Sequence, residues 1–256
     1  MLLAVLPCFI SALQCHFCPQ PITVNYSVTA DTIPSLENCV VIDDAKHCTV
    51  SILWLRDPIL SVLIYIYDSD QKPETNETLT MNVHLQNDGD NLPRRLSHDI
   101  QYTCQTEDRC NSVNTIKRIV NSTTLTEQFV KQFTSLLANN TSFTNASAAQ
   151  CYSYMNVTNP NRCDPTDIDH CQRCHISIDY PSSIDDEICA TCPKTMQSYN
   201  KILRTKTFLL DYRSQPTERI ELWCQQQGGC NSMANINKIR QASELKFDYE
   251  KFFDQI

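Results

Sequence analysis

The stretch IQYTCQTEDRCNSVNTIKRI, residues 100–119, aligns without a gap on IELWCQQQGGCNSMANINKI, residues 220–239. Cys104 and Cys110 match Cys224 and Cys230, and Ile100/Ile220, Ile116/Ile236 and Ile119/Ile239 fall in step with them. Both stretches close a set of cysteines with Cys-x5-Cys-Asn-Ser. Self-similarity at a fixed offset marks a duplicated unit. Cysteines six positions apart are close enough to pair as a local loop, so the unit reads as a disulfide-built extracellular module.

Working outward, the rest of the composition agrees. The chain has 256 residues, of which 41% are hydrophobic, and 15 are cysteines. Each half therefore has a modest core, and small secreted modules offset that shortage with disulfides. The formal net charge is −8 with no Lys/Arg block. An acidic surface repels phosphate backbones and anionic lipid, which argues against a nucleic-acid partner. Residues 1–14 read as a signal peptide. The apolar run MLLAVLPCFISAL is too short to span a bilayer and has the length of a secretory h-region, with cleavage expected between Ala12 and Cys15. Cys8 leaves with the leader, and the remaining cysteines are even in number. The competing reading of these residues is a buried N-terminal strand. Asn-x-Ser/Thr sequons stand at Asn25, Asn76, Asn121, Asn139, Asn140, Asn145 and Asn156. Their crowding between residues 121 and 158 marks an exposed, glycosylated connector. Adjacent Asn139 and Asn140 are not expected to be glycosylated together. The apolar stretch 51–67 is interrupted by Arg56, Asp57 and Pro58, so no membrane span is expected, and the charged C-terminal residues lack a GPI signal. These readings together predict a released, extracellular product.

The organisation follows as module one over 15–111, a helical connector over 112–150, module two over 151–231 and a C-terminal helix over 232–256. In module one, CTVSILW from Cys48, ILSVLIYIY from Ile59, LTMNVHL from Leu79 and the run from Ile100 to Cys104 have strand character. In module two, Cys174-His-Ile-Ser-Ile mirrors Cys48-Thr-Val-Ser-Ile, and KTFLLDY and ERIELWC read as later strands. Ile116, Ile119, Val120, Leu125, Phe129, Phe133, Leu136 and Leu137 recur at helical spacing, broken at 121–124; a second helix is expected after Thr124 or Thr126. Leu245, Tyr249, Phe252 and Phe253 predict one face of a helix after Met233. The fold class is α+β, with two disulfide-rich, mainly antiparallel-β modules, each followed by helix.

Leu13-Gln-Cys15-His-Phe-Cys18 at the start, with Cys110-Asn111 and Cys230-Asn231 at the two closings, resembles the Ly-6/uPAR (three-finger) family. The resemblance covers both modules but not the helical tails. It implies a three-finger fold with pairs Cys15–Cys48, Cys18–Cys39 and Cys104–Cys110. In module two, Tyr154 stands where a second opening cysteine belongs. Cys151–Cys174 and Cys224–Cys230 are the preferred pairs there, and Cys163, Cys171, Cys189 and Cys192 stay open. Asn111 and Asn231 are read as plugs for the open end of each module, because an amide both donates and accepts. The resemblance also implies a non-catalytic protein that shows rigid loops to an extracellular protein or receptor. Asp68 to Glu77 and Thr195 to Arg204 are the expected contact loops.

Three rivals come from the residues themselves. Cys171-x2-Cys174-x14-Cys189-x2-Cys192 has zinc-ribbon spacing, so a zinc-stabilised second module is one. A Cys-x-x-Cys redox role for Cys15/Cys18 or Cys189/Cys192 lacks a surrounding βαβ pattern. A secreted hydrolase with paired carboxylates between the modules is the third. No Gly-x-Ser-x-Gly elbow or His-Glu-x-x-His helix occurs, and Gly89 in NDGDN lacks the earlier oxygen ligands of a calcium loop. No catalytic residue, metal ligand or cofactor is therefore expected.

Overall fold

Runs of β-branched and aromatic residues become antiparallel strands in both halves. The computed structural model describes residues 12–56, 58–68, 75–87, 95–125, 132–133, 135–137, 150–159, 163, 171, 173–181, 185–193, 199–225 and 228–254. In chain order the elements are β1 (Leu13–Phe17), β2 (Ile22–Val24), β3 (Val40–Ala45), β4 (Cys48–Leu55), β5 (Leu60–Tyr67), β6 (Glu77–Asn87), β7 (Arg95–Cys104), α1 (Val113–Ser122), β8 (Thr123–Leu125), β9 (Tyr154–Asn156), β10 (Cys174–Tyr180), β11 (Glu187–Thr191), β12 (Asn200–Leu209), β13 (Thr217–Cys224), α2 (Met233–Ala242), β14 (Leu245–Phe247) and α3 (Tyr249–Phe253).

Ten of these strands form one sheet in the order β2-β5-β4-β7-β6-β12-β13-β10-β11-β9. The order is a palindrome: β5-β4-β7-β6 from the first half is answered by β12-β13-β10-β11 from the second. Register repeats too, with Cys48 opposite Cys104 and Ile52 opposite Ile100 in one half, Cys174 opposite Cys224 and Ile178 opposite Ile220 in the other. The halves join where β6 meets β12, from Asn87 opposite Asn200 to Thr78 opposite Leu209. Asn82 pairs with Asp99, and Thr205 with Arg219, which is the repeat counterpart of Asp99. Asn82 and Thr205 are thus equivalent positions, and they face each other, with Thr205 Oγ1 donating to Asn82 Oδ1 at 2.6 Å. A pseudo-two-fold axis passes through this pair.

Alternation decides the faces. Leu79, Met81, Val83 and Leu85 of β6 point to one side and are fully buried. Each such side chain contributes roughly 2 kcal/mol of burial. That side is covered by the tails: Ile116 and Ile119 of α1, Ile236 and Ile239 of α2 and Phe252 of α3 are buried in the same core. Thr80, Asn82, Thr205 and Thr207 point to the other, partly open side.

The tails depart from the helical expectation. Helix α1 stops at Ser122, and Thr123–Leu125 forms β8, paired with Leu245–Phe247 of β14. Two consecutive threonines favour extended backbone, and the pairing partner lies at the far end of the chain, out of reach of any local pattern. Leu245 is accordingly in a strand, and only Tyr249, Phe252 and Phe253 are in the short α3. The rest of the second helix expected before residue 132 falls outside the described residues, as do Phe129 and residues 1–11. The tails also cross: Phe252, from the second half, meets Tyr102 of the first at 6.3 Å, and Arg118 of α1 lies over its ring at 4.9 Å.

Residues 1–14 of the expected leader overlap β1. Leu13 is 5% exposed opposite Ala45, and Gln14 is tied by its side chain to Asp43 at 2.8 Å and by its backbone N–H to Asp108 at 2.9 Å.

Candidate interaction surface

All fourteen cysteines from Cys15 onward are in disulfides. The first half has Cys15–Cys48, Cys18–Cys39 and Cys104–Cys110, and the second has Cys151–Cys174 and Cys224–Cys230. The four open cysteines pair as Cys163–Cys189 and Cys171–Cys192. The zinc-ribbon spacing is therefore spent on three separate bridges, Cys174 going to Cys151. Zinc needs thiolates. The two close-set sulfur groups, Cys48/Cys104/Cys110 and Cys151/Cys171/Cys174, consist of disulfide sulfurs.

The residue after each closing cysteine locks the chain beside the opening cysteine to the last loop. His16 donates its N–H to Asn111 Oδ1 at 3.0 Å, and Asn111 Nδ2 donates to His16 C=O at 2.9 Å. In the second half Tyr152 and Asn231 repeat the exchange at 2.9 Å each way, and Asn231 Nδ2 also donates to His175 C=O at 3.1 Å. The next residue starts a helix. Ser112 Oγ accepts from Thr115 N–H, and Ser232 Oγ from Asn235 N–H, as helix N-caps. Cys-Asn-Ser thus closes a loop, latches the opening chain and caps a helix in three consecutive residues. The serine's role escaped the sequence reading, although a serine placed just before an apolar helical run is a capping signal. Gly229 has φ 73°, and a Cβ there would collide with the Tyr152 ring.

The expected contact loops fare differently. Residues 69–74 of the first and 195–198 of the second lie outside the described residues. Asp68 accepts from Lys46 N–H at 2.6 Å and so lies at the disulfide end, since Tyr67 sits opposite Cys48. Asn200 to Arg204 is already strand β12, and Arg204 is 5% exposed, so this segment is core and not a contact loop. Among the described residues, the most exposed large hydrophobic side chain lies elsewhere. Tyr212, in the turn between β12 and β13, is 70% exposed. Its turn is braced on every side. Leu210 N–H donates to Glu77 C=O at 3.0 Å, and Asn76 N–H donates to Asp211 Oδ2 at 2.9 Å. Tyr249 Oη donates to Ser214 C=O at 3.3 Å, and the Arg213 guanidinium lies over Phe253 at 4.7 Å. An aromatic held out by a rigid turn is the kind of residue that anchors protein interfaces.

Among the described residues, the two carboxylates with raised proton affinity, Glu77 and Asp99, do not form a pair. Burial raises Glu77, against hydrogen bonds from Thr106 and Tyr102, and burial raises Asp99, against its bond from Asn82. Glu77 and Asn82, the partner of Asp99, are of opposite parity on β6. The two carboxyls therefore point to opposite faces, roughly 17 Å apart along the ladder, beyond the reach of any two-carboxylate mechanism.

His175 is stacked on Trp223 at 4.1 Å, with Thr191 opposite it in the sheet. Both ring nitrogens, Trp223 Nε1 and Thr191 Oγ1 are buried without hydrogen-bond partners. Burial lowers its pKa to about 4, Glu221 opposes the shift, and Lys201 and Arg219 add to it. The neutral ring belongs to the folded state, while the unfolded chain takes up its proton near pH 6.5. The stability from this group is present above pH 6.5 and is lost as pH falls to about 4. The loss is about 3 kcal/mol, and His175→Phe is expected to remove it from a series of denaturant titrations across that window.

Asn25, Asn76, Asn121 and Asn156 are all exposed, and Asn139, Asn140 and Asn145 lie outside the described residues. Compared with known protein families, curated proteins and solved structures, the chain finds no match.

Proposed function

We propose that this chain is a secreted, N-glycosylated, non-catalytic binding protein of Ly-6/uPAR-like character, which presents disulfide-held loops to an extracellular protein or receptor. The observation that carries the reading is the disulfide end of the first half. From it β4/β5 and β6/β7 run out side by side in the large sheet, joined through β4 and β7, with β1/β3 as a separate pair, and Cys15–Cys48, Cys18–Cys39 and Cys104–Cys110 tie them together. A surface cross-linked in this way costs little ordering on binding. The oxidised cysteines and exposed sequons support an extracellular setting, and no helix among the described residues is long and apolar enough to cross a membrane. The packing of Leu13 and Gln14 supports leader removal no later than Ala12.

The braced Tyr212 turn is the contact point in this reading. Screening the glycosylated protein against arrayed receptor ectodomains is expected to yield a binder. Tyr212→Ala should then weaken it about thirtyfold, in the range of an interface hot spot, with an unchanged melting temperature. A variant that binds as tightly as the parent contradicts this assignment.

A further inference from the structure

The ten-stranded sheet ends in two free edges, β2 and β9, and among the described residues no strand pairs with the outer side of either. Free edges template pairing with another chain, and proteins blunt them with charge, proline or cover. Here the charge is missing. Residues 22–30 (ITVNYSVTA) and 151–159 (CYSYMNVTN) hold neither a charged side chain nor a proline, the only guards there being Pro19 and Pro21 just ahead of β2 and the three-residue length of each edge strand. Both segments are rich in β-formers, and Tyr26, Tyr154 and Met155 are 39%, 55% and 53% exposed. Such a segment on an edge is an association hazard.

Each edge carries one sequon instead. Asn25 directly follows β2, between Val24, which pairs with Ser61, and Tyr26, whose carbonyl accepts from Ser61 Oγ at 2.7 Å. Asn156 is the last residue of β9, and its Thr158 is held by Glu187 of β11. These asparagines are not repeat copies of one another. Asn25 lies ten residues after the opening Cys15, and Asn156 five after the opening Cys151. Duplication does not account for their shared place at opposite ends of the sheet.

We propose that N-glycans on Asn25 and Asn156 close the two free edges of the sheet to a second copy of this chain. A branched, hydrated glycan does by bulk what lysine does by charge on other edge strands. The inference rests on the secreted, glycosylated reading above, and glycopeptide mass spectrometry of the secreted protein tests that part separately: glycan on Asn25 and Asn156 is expected, and its absence from both overturns the guard while leaving the binding reading standing.

The guard itself is tested by light scattering over a concentration series. The parent and Asn121→Gln, whose sequon lies on α1 away from both edges, are expected to stay monomeric. Asn25→Gln/Asn156→Gln is expected to associate with rising concentration. Because Asn156 Nδ2 also donates to Asp186 C=O at 3.2 Å, the folded parent with its glycans trimmed enzymatically to single sugars serves as the second sample, and it too is expected to associate. Adding Thr23→Lys and Met155→Lys, both exposed edge positions, to the double variant should restore the monomer. A trimmed parent that stays monomeric at the highest concentration, or a double variant that lysine does not rescue, overturns the proposal.

Discussion

Arg204→Met is expected to lower the unfolding free energy by about 4 kcal/mol, the usual cost of removing one partner of a buried ion pair. Arg204 and Glu218 are 6% and 5% exposed at their side chains, with Arg204 Nε donating to Glu218 Oε1 at 2.7 Å. Arg204 Nη1 also donates to Arg240 C=O at 3.0 Å, to Ser243 Oγ at 2.6 Å and to Ser243 C=O, so it satisfies the end of α2. Burial lowers its pKa, and Glu218 works against that shift. The substitution removes the charge and the cap together. The second variant, Arg204→Met/Glu218→Leu, is expected to recover the share due to the unpaired Glu218, because Arg240, 46% exposed, can turn to water when Glu218 is gone, while the share due to the lost cap at Arg240 and Ser243 stays lost. With the disulfides intact, the single change should lower Tm by about 10 °C. A loss below about 1 kcal/mol would show that this pair is not what seats α2 on the sheet.

The same residue explains where the sequence was hard to read. Along β12, Ile202, Arg204, Lys206 and Phe208 share the covered side with Met81 and Val83 of β6. Two cations at inward positions hide the alternation that marks a strand, so Thr195 to Arg204 reads as a loop. Where inward positions are apolar, as along β4, pattern and strand coincide; in β7 the inward His98 interrupts the run, so only Ile100 to Cys104 reads as strand although the strand begins at Arg95. The tails mislead in the opposite sense. Leu125 and Leu245 sit at helical spacings from their neighbours, yet they face each other in β8 and β14, and a pairing 120 residues apart leaves no local trace. The short cysteine loops were legible because their spacing alone brings the sulfurs together. Cys163–Cys189 and Cys171–Cys192 were not, since four equivalent cysteines offer several pairings. Nor could periodicity tell which edge of one half meets the other; β6 and β12 find each other through tertiary structure. Tyr212 was invisible as a contact because its exposure depends on the braces around its turn.

Asn231→Ala is expected to cost about 3 kcal/mol. Asn231 is 1% exposed and makes three hydrogen bonds to backbone, so its loss takes the partner from the part-buried N–H and C=O of Tyr152 and removes one bond to the buried His175 C=O. A buried group left without its partner costs about 1–3 kcal/mol. Asn111→Ala, with two bonds to His16, should cost somewhat less. Asn231→Asp keeps the acceptor but loses both donors, so it should not rescue the fold. Amide exchange at Tyr152 and His16 reports the loss locally, and protected amides in the alanine variants would count against the latch.

The framework of oxidised sulfur is tested most directly by mapping the disulfides of the non-reduced, deglycosylated protein by mass spectrometry. The expected result is seven linkages, including Cys163–Cys189 and Cys171–Cys192, with no free thiol from Cys15 onward. Free thiols at Cys171, Cys174, Cys189 and Cys192, or a linkage of Cys104 to any residue other than Cys110, would contradict the account.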